Sequence, residues 1–199
     1  MDLLVITDTN VVDNEAWLIN NLFDAGLQRL HLRKPYWNSS QFIDLLSGIK
    51  PFYYPFIALH QHHYLAEQFG INRLHYPESQ RINTDAEIIR LQKKDGYLLS
   101  TSVHDLNSLP SLEIYEYVFL SPVFDSISKK GYLTNLPADL KLTKSYKKPR
   151  VIALGGVELS NLGKLKIMGF DGAAVLGTLW NEPDKALERF LHLKEHLSI

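Results

Sequence analysis

Short apolar runs alternate with amphipathic stretches along the whole chain. The runs are rich in Val, Ile, Leu, Tyr and Phe, which favour strands, whereas the stretches carry apolar residues at helical spacing. The pattern predicts strands near residues 3–8, 29–34, 56–60, 73–77, 97–103, 117–123, 150–156 and 172–177. It predicts helices at 14–25, 39–49, 62–69, 84–93, 137–145, 158–168 and 181–197, with Asn83 or Asp85 and Ser160 as N-caps or first-turn residues. No linker interrupts the alternation, so we expect a single domain over residues 1–199.

Eight strands separated by helices indicate an α/β fold made of parallel, right-handed βαβ units. The closed version of this pattern is a single compact (β/α)8 TIM barrel, for which 199 residues is at the short end of the range. An open doubly wound sheet is the alternative, although it usually has fewer strands.

The alternation of residue types along the strands supports closure. Leu30 and Leu32 lie on one face of the second strand, whereas His31 and Arg33 lie on the other. Later strands repeat this arrangement, with leucine or valine opposed by small or polar residues, namely Ala58, His60, Ser100, Ser102, His104 and Ser121. We expect the apolar face to meet the outer helices, and the polar residues near the strand ends to line the mouth of the barrel.

Composition limits the kinds of molecule that the protein is expected to bind and the kinds of site that it can form. The chain has 21 Lys and Arg against 22 Asp and Glu, so it lacks the basic field that binds nucleic acid. It has no cysteine, which excludes disulfides, thiolate metal sites and a cysteine nucleophile. The four apolar residues before Thr7 and Asp8 are too few for a signal peptide or a membrane span, so we expect a cytoplasmic, soluble protein. The oligomeric state stays open, a homo-oligomer included.

Glycines mark the ends of the last two predicted strands. Gly155 and Gly156 follow VIAL, and Gly177 follows AAVL one helix later. Glycine lets the backbone approach a ligand closely, and the loops after the seventh and eighth strands of barrels commonly bind phosphate. The alternative is that the glycine pair only makes a tight exit from the strand.

The loop after the sixth predicted strand reads SPVFDSISKKGY. Its hydroxyls, Ser126 and Ser128, and its charges, Lys129 and Lys130, suit a phosphate or pyrophosphate. The same composition is also typical of a solvated loop.

Arg33 lies on the same face of the second predicted strand as His31, so its side chain is predicted to point into the barrel mouth. An arginine in that position is costly unless an anion meets it. The alternatives are that it reaches solvent or pairs with a carboxylate such as Asp8.

Six histidines lie at or near predicted strand ends: His31, His60, His62, His63, His75 and His104. No carboxylate or third ligand has a diagnostic spacing around the HQHH run, so we expect no metal site. A histidine at the mouth would instead act as a general acid or base, with a midpoint near ~6.5 if its pKa is ordinary. The remaining histidines would be structural.

The ordered series LHLRK, GINRLHY, STSVH, SPVFDSISKKG, VIALGGV and GFDGAAVLGTLW resembles the thiamine phosphate synthase and TenI family. The resemblance implies a TIM barrel in thiamine biosynthesis that binds a thiazole phosphate. It also implies one of two enzyme classes. The synthases are transferases that join this thiazole to an aminopyrimidine diphosphate and release pyrophosphate. TenI proteins are isomerases that shift a proton on a thiazole carboxylate phosphate.

The resemblance assigns roles by position. Arg33 matches the arginine on the pyrimidine side, and Ser102 matches the serine of the motif on the fifth strand. The phosphate-binding positions fall on Ser126, Ser128, Lys129, Gly155, Gly156 and Gly177. The resemblance also implies that Arg33, Ser102 and Lys129 contribute to catalysis.

The chain departs from the synthase pattern on the magnesium side. The Asn-Asp pair of the synthases falls on His60 and Gln61, and their second magnesium aspartate falls near Gln80. The Arg-x-Lys motif reads Arg33, Lys34, Pro35. Amides are poor ligands for Mg²⁺, so we expect a TenI-like isomerase that needs no cofactor, with Mg²⁺ required only by an active synthase.

The TenI pattern also has a gap. The catalytic histidine of the tautomerases aligns with Pro122, so His60 or His104 would replace it. A thiamine phosphate synthase and a non-catalytic ligand-binding or partner-binding homologue remain the alternatives.

Overall fold

Eight parallel strands form the centre of the computed structural model, which describes residues 1–125, 136–137, 139–142 and 149–198. The strands are β1 (Asp2–Ile6), β2 (Leu30–Leu32), β3 (Ile57–Leu59), β4 (Arg73–Tyr76), β5 (Leu98–Val103), β6 (Tyr117–Leu120), β7 (Arg150–Leu154) and β8 (Gly172–Val175). Each strand pairs with the next along the chain, and β8 pairs with β1. The predicted (β/α)8 barrel is therefore confirmed, and the open sheet is excluded.

Helices surround the barrel on its outer side. They are α1 (Glu15–Asp24), α2 (Ser39–Ser47), α3 (Leu65–Phe69), α4 (Glu78–Asn83), α5 (Ala86–Lys94), α6 (Leu162–Ile167), α7 (Gly177–Trp180) and α8 (Ala186–Ser198). Short 3-10 helices cover Pro51–Phe56, Leu106–Ser111 and Pro183–Lys185. Among the described helices, none combines the length and apolar character that a bilayer span requires.

Local sequence explains several helix starts. Asn38 and Gln41 form a reciprocal capping box at α2, and Asp85 caps α5 by accepting a hydrogen bond from the Glu87 N–H. The prediction of Asp85 as a cap is thus confirmed. Ser160 is not the cap of α6, because the N-cap position belongs to Asn161.

One predicted helix is wrong where the structure describes it. Residues 137 and 139–142 of the predicted helix 137–145 form turns and irregular backbone. The Leu142 N–H donates to the Met168 carbonyl at 2.8 Å, so this stretch bonds to the end of α6 instead of closing helical turns. The amphipathic pattern of the segment gave no sign of this tertiary hydrogen bond.

The apolar faces of the strands meet the helices, as the residue alternation predicts. Leu30, Leu32, Leu59 and Leu99 are fully buried in the core between the barrel and its outer helices. The barrel interior has two halves of different character. One half is an apolar cluster of Leu4, Ile6, Tyr117, Phe119, Ile152 and Ala174. The other half, under β2 to β5, holds buried histidines and serines.

Ion pairs close the barrel at the amino-terminal ends of its strands. Glu116 lies 3.0 Å from Arg73 and 3.7 Å from both Arg29 and Arg150, and Arg150 also lies 2.6 Å from Asp2. These charges lie at the end of the barrel opposite the mouth. Residues at that end usually contribute to stability and not to catalysis.

Candidate active site at the mouth of the barrel

Arg33 follows β2 directly and is held by the end of β1. Its N–H donates to Thr7 Oγ1 at 2.9 Å, and the Thr7 hydroxyl donates to the Arg33 carbonyl at 3.1 Å. Its charge contributes to lowering the pKa values of His60 and His75, so the guanidinium acts on the barrel interior. Within the described residues, no carboxylate lies within 4 Å of it, and the pair with Asp8 is therefore not formed. Burial lowers the pKa of Arg33.

Three histidines occupy the interior below Arg33. His31 Nδ1 lies 2.9 Å from His60 Nε2, and His31 Nε2 lies 2.7 Å from the Tyr117 hydroxyl. His60, the next residue after β3, is only 3% exposed, and its buried Nδ1 has no hydrogen-bond partner in the part of the chain that the structure describes. The His31–His60 pair therefore presents one unused ring nitrogen.

The third histidine is fixed by serines of β5. His75 Nδ1 lies 2.9 Å from Ser100 Oγ, and its Nε2 lies 3.1 Å from Ser102 Oγ. Its ring stacks on that of His60 with the centroids 4.0 Å apart. Ser102, which the resemblance assigned to catalysis, thus has a direct contact with this cluster.

Burial disfavours the charged form of all three imidazoles. It lowers the pKa of His31 and of His60 well below the ordinary value and lowers the pKa of His75 to about 3. The neighbouring histidines and arginines act in the same direction. The three rings are therefore neutral at pH 7, and the ordinary midpoint near ~6.5 does not apply to His60.

His104 is separate from this cluster. It is exposed, its Nδ1–H donates to the Ser121 carbonyl at 2.6 Å, and its Nε2 lies 3.8 Å from Glu78. The two candidate acid/base histidines thus lie in different environments, with His60 buried and His104 in solvent.

Gly155 and Gly156 both have left-handed backbone, with φ of 93° and 63°. A Cβ on Gly156 would lie 2.7 Å from Phe124 Cβ and would also overlap the Asp125 carbonyl. The Phe124 N–H donates to the Gly155 carbonyl at 3.1 Å. The glycine pair is therefore required by packing against the loop after β6, so the tight strand exit is present. Among the described residues, the N–H groups of Gly155 and Gly156 donate no backbone hydrogen bond, and this leaves them able to bind an anion.

Gly177 begins α7 beside the glycine pair. Thr178 Oγ1 donates to the Val157 carbonyl at 2.6 Å and so joins the loops after β7 and β8. A cleft of about 460 Å³ opens next to this junction, with Gly177, Thr178 and Arg189 in its wall. Ser126, Ser128, Lys129 and Lys130 lie outside the described residues.

The residues at the magnesium positions do not fit the ion. Gln61 Oε1 accepts a hydrogen bond from the Lys34 N–H at 3.1 Å, and Gln80 is exposed on α4. Neither side chain carries the negative charge that Mg²⁺ requires from a protein site. The expectation that these substitutions disfavour Mg²⁺ binding thus has a structural basis at Gln61, whose oxygen is already used.

The sequence gave no indication of one buried ion pair. Lys34 is fully buried, with its Nζ 2.6 Å from Glu15 Oε2 and 2.6 Å from the Asn10 carbonyl, which accepts its hydrogen bond. The carboxylate of Glu15 on α1 thus holds the Lys34 ammonium group in the protein interior. No spacing rule relates residues 15 and 34, so only the fold could reveal this contact.

The fold is shared with proteins of known structure. The chain is similar to a thiamine phosphate pyrophosphorylase from Bacteroides thetaiotaomicron, with 27% identity, a TM-score of 0.74, and coverage of 100% of this chain and 98% of that one. It is also similar to a thiamine phosphate pyrophosphorylase from Pyrococcus furiosus, with 17% identity, a TM-score of 0.79, and coverage of 99% and 95%. A 3-hexulose-6-phosphate synthase from Salmonella typhimurium, 15% identical with a TM-score of 0.66 and coverage of 100% and 99%, shares only the fold.

Sequence comparison assigns the family. A search of curated proteins gives no match. A profile described as thiamine monophosphate synthase matches residues 3–179, which is nearly the whole barrel. The chain therefore belongs to the thiamine monophosphate synthase and TenI family.

Proposed function

We propose that this protein binds a thiazole phosphate at the barrel mouth and acts in thiamine biosynthesis as a TenI-like isomerase. The observation that carries the proposal is Arg33, a partly buried cation at the mouth without a carboxylate partner among the described residues. A buried guanidinium without a counterion is costly, and an anionic ligand removes that cost. Family membership supports a phosphorylated ligand.

The magnesium positions favour the isomerase over the synthase. Release of pyrophosphate requires neutralisation of its charge, and by the resemblance the magnesium aspartates of the synthases fall on Gln61 and near Gln80 of this chain. A proton shift on a thiazole carboxylate phosphate forms no such leaving group. Its charge is already present on the substrate, where Arg33 balances it.

His60 is the acid/base residue that we propose. If its Nε2–H donates to His31 Nδ1, and the His31 Nε2–H donates to the Tyr117 oxygen, His60 Nδ1 is an acceptor without a hydrogen-bond partner among the described residues. In the reaction, the substrate C–H bond breaks, the proton moves to Nδ1, and the electron pair enters the ring system. The same N–H then returns the proton to the second position. Ser102 is hydrogen-bonded to His75, and the ring of His75 stacks on His60, so Ser102 helps to hold His60 in position.

Ligand binding tests the first part. Isothermal titration with thiazole phosphate should give saturable binding by the wild type, and Arg33→Gln should weaken it by about 10-fold or more, as expected for a charge-assisted contact. Arg90→Gln is the matched control, since Arg90 is exposed and pairs with Glu87. Equal affinity of the Arg33→Gln variant and the wild type would overturn the assignment.

Turnover tests the second part. The wild type should isomerise the thiazole carboxylate phosphate in the presence of EDTA, and His60→Asn should slow the reaction by ~10²-fold or more whereas His104→Asn leaves it unchanged. The rate should stay level through pH 6.5, because burial lowers the pKa of His60. Pyrophosphate release that needs both substrates and Mg²⁺ would instead support the synthase. Tight binding without either reaction would support a non-catalytic homologue.

A further inference from the structure

The buried histidines of β2, β3 and β4 converge in a way that the proposed isomerase does not require. His31, His60 and His75 each offer a ring nitrogen, and these three atoms lie within 4.8 Å of one another. His31 and His75 are fully buried, and His60 is 3% exposed. We propose that these three residues form a binding site for a transition-metal ion of the Zn²⁺ type inside the barrel, a site separate from the magnesium positions.

The spacing suits an imidazole-ligated ion. Zn²⁺ binds histidine nitrogen at about 2.0–2.1 Å, so two ligands of a tetrahedral site are about 3.3 Å apart. His31 Nδ1 and His60 Nε2 are 2.9 Å apart, so their hydrogen bond would be replaced by two metal bonds after a small widening. His75, already stacked on His60, supplies the third nitrogen by a tilt of its ring.

The chemistry of the donors selects the class of ion. Burial keeps the three imidazoles neutral, and a neutral imidazole is the form that binds a metal. The set contains no carboxylate, so it does not suit Mg²⁺ or Ca²⁺, whereas imidazole suits Zn²⁺, Co²⁺, Ni²⁺ and Cu²⁺. The serines that bond to His75 would orient its ring.

The charged residues around the triad indicate which kind of fourth ligand the proposed ion would have. Arg29 and Arg73 act on His31, and Arg33 acts on His60, so positive charge surrounds a site with no anionic donor. A divalent ion there needs an anion, either hydroxide or a ligand oxyanion, in its fourth position. His60 is the most exposed of the three histidines, so we place this fourth position on its side of the triad.

The inference goes beyond the proposed function and does not depend on it. An ion on His60 Nε2 would leave the proton of the neutral ring on Nδ1, which could then no longer accept a proton from the substrate, so Zn²⁺ should inhibit isomerisation if both proposals hold. Binding of the metal alone is measured without substrate, and its result therefore stands whether or not the isomerase proposal survives.

The test uses the full chain, stripped with chelator and titrated with Co²⁺ and Zn²⁺. His192 and His196 lie one turn apart on the exposed face of α8 and are the surface pair that would bind such ions adventitiously. The His192→Gln/His196→Gln variant should retain one equivalent of tightly bound metal, with the visible absorption of tetrahedral Co²⁺. His31→Gln, His60→Asn and His75→Gln, each made in that background, should lose affinity by on the order of 100-fold.

A second measurement covers the case in which the triad variants do not fold. X-ray absorption of the Zn²⁺ complex of the His192→Gln/His196→Gln variant should show three imidazole ligands at about 2.0 Å. Loss of all binding in that variant would overturn the proposal, as would a spectrum with fewer than three imidazoles. Unchanged affinity in well-folded triad variants would overturn it equally.

Discussion

Replacing Lys34 by methionine should destabilise the protein far more than the loss of an exposed lysine. Lys34 Nζ is fully buried and makes three contacts, with Glu15 Oε2 at 2.6 Å, with the Asn10 carbonyl at 2.6 Å, and with the face of Trp37 at 4.6 Å from the ring centroid. These contacts tie the segment after β2 to α1. Because Lys34 follows Arg33 directly, the pair also supports the proposed anion site.

The magnitude follows from what the methionine leaves behind. Methionine matches the stem of lysine but makes no ion pair, so the Glu15 carboxyl remains buried beside an apolar group. Removal of one member of a buried pair costs about 3–5 kcal/mol. For a chain of this size, each kcal/mol corresponds to a shift of the melting temperature by about 2–4 °C, so we expect a decrease on the order of 10 °C.

Urea unfolding followed by circular dichroism measures this loss. Lys50→Met is the matched control, because Lys50 forms an ion pair of 2.8 Å with Asp24 in which both side chains are about half exposed, and solvent screens it. Adding Glu15→Gln to Lys34→Met should recover part of the loss, since no carboxyl is then buried without its partner. A Lys34→Met variant as stable as the Lys50→Met variant would refute the reasoning.

Two further predictions concern stability. Gly156→Ala should lower the free energy of unfolding by about 1–3 kcal/mol, because the left-handed backbone of Gly156 and its contact with Phe124 leave no room for a Cβ. Gly163→Ala, in open space on α6, should be neutral or stabilising. Equal melting temperatures of the two variants would contradict this prediction. Burial raises the pKa of Glu15 from 4.5 to about 7, so the folded protein keeps a proton that the unfolded chain loses above pH 4.5. The contribution of Glu15 to stability is complete below pH 4.5 and decreases by about 3 kcal/mol as the pH rises to 7, a slope that Glu15→Gln should abolish in unfolding titrations.

Much of the barrel could be predicted from alternation alone. Successive side chains of a strand point to opposite faces even when both faces are buried. The sequence therefore predicts that Leu30 and Leu32 point towards the outer helices and that His31 points into the barrel, without knowledge of the neighbouring strands. Residues 137 and 139–142 of the predicted helix 137–145 were predicted wrongly. The apolar spacing of this segment resembles a helix, but Leu142 bonds to Met168, which is distant in the sequence.

The candidate site likewise has features that the sequence predicts and features that it does not. Sequence placed Arg33, His60 and the glycines at strand ends, because the position of a residue within a strand is a local property. Whether Arg33 has a counterion, and whether His60 titrates as an ordinary histidine, depends on which groups surround them. The structure decided that Arg33 lacks a close carboxylate among the described residues, and that burial lowers the pKa of His60.

The amino-acid sequence by itself determined the fold class and the family, since both are written in residue type and order. Only the tertiary structure brought together residues 15 and 34, or 31, 60 and 75, from different elements. Closure of the barrel removes water from its interior and places side chains of successive strands within a few ångströms. Distances and desolvation of this kind are properties of the assembled sheet, and they set the charge state of every group in the site.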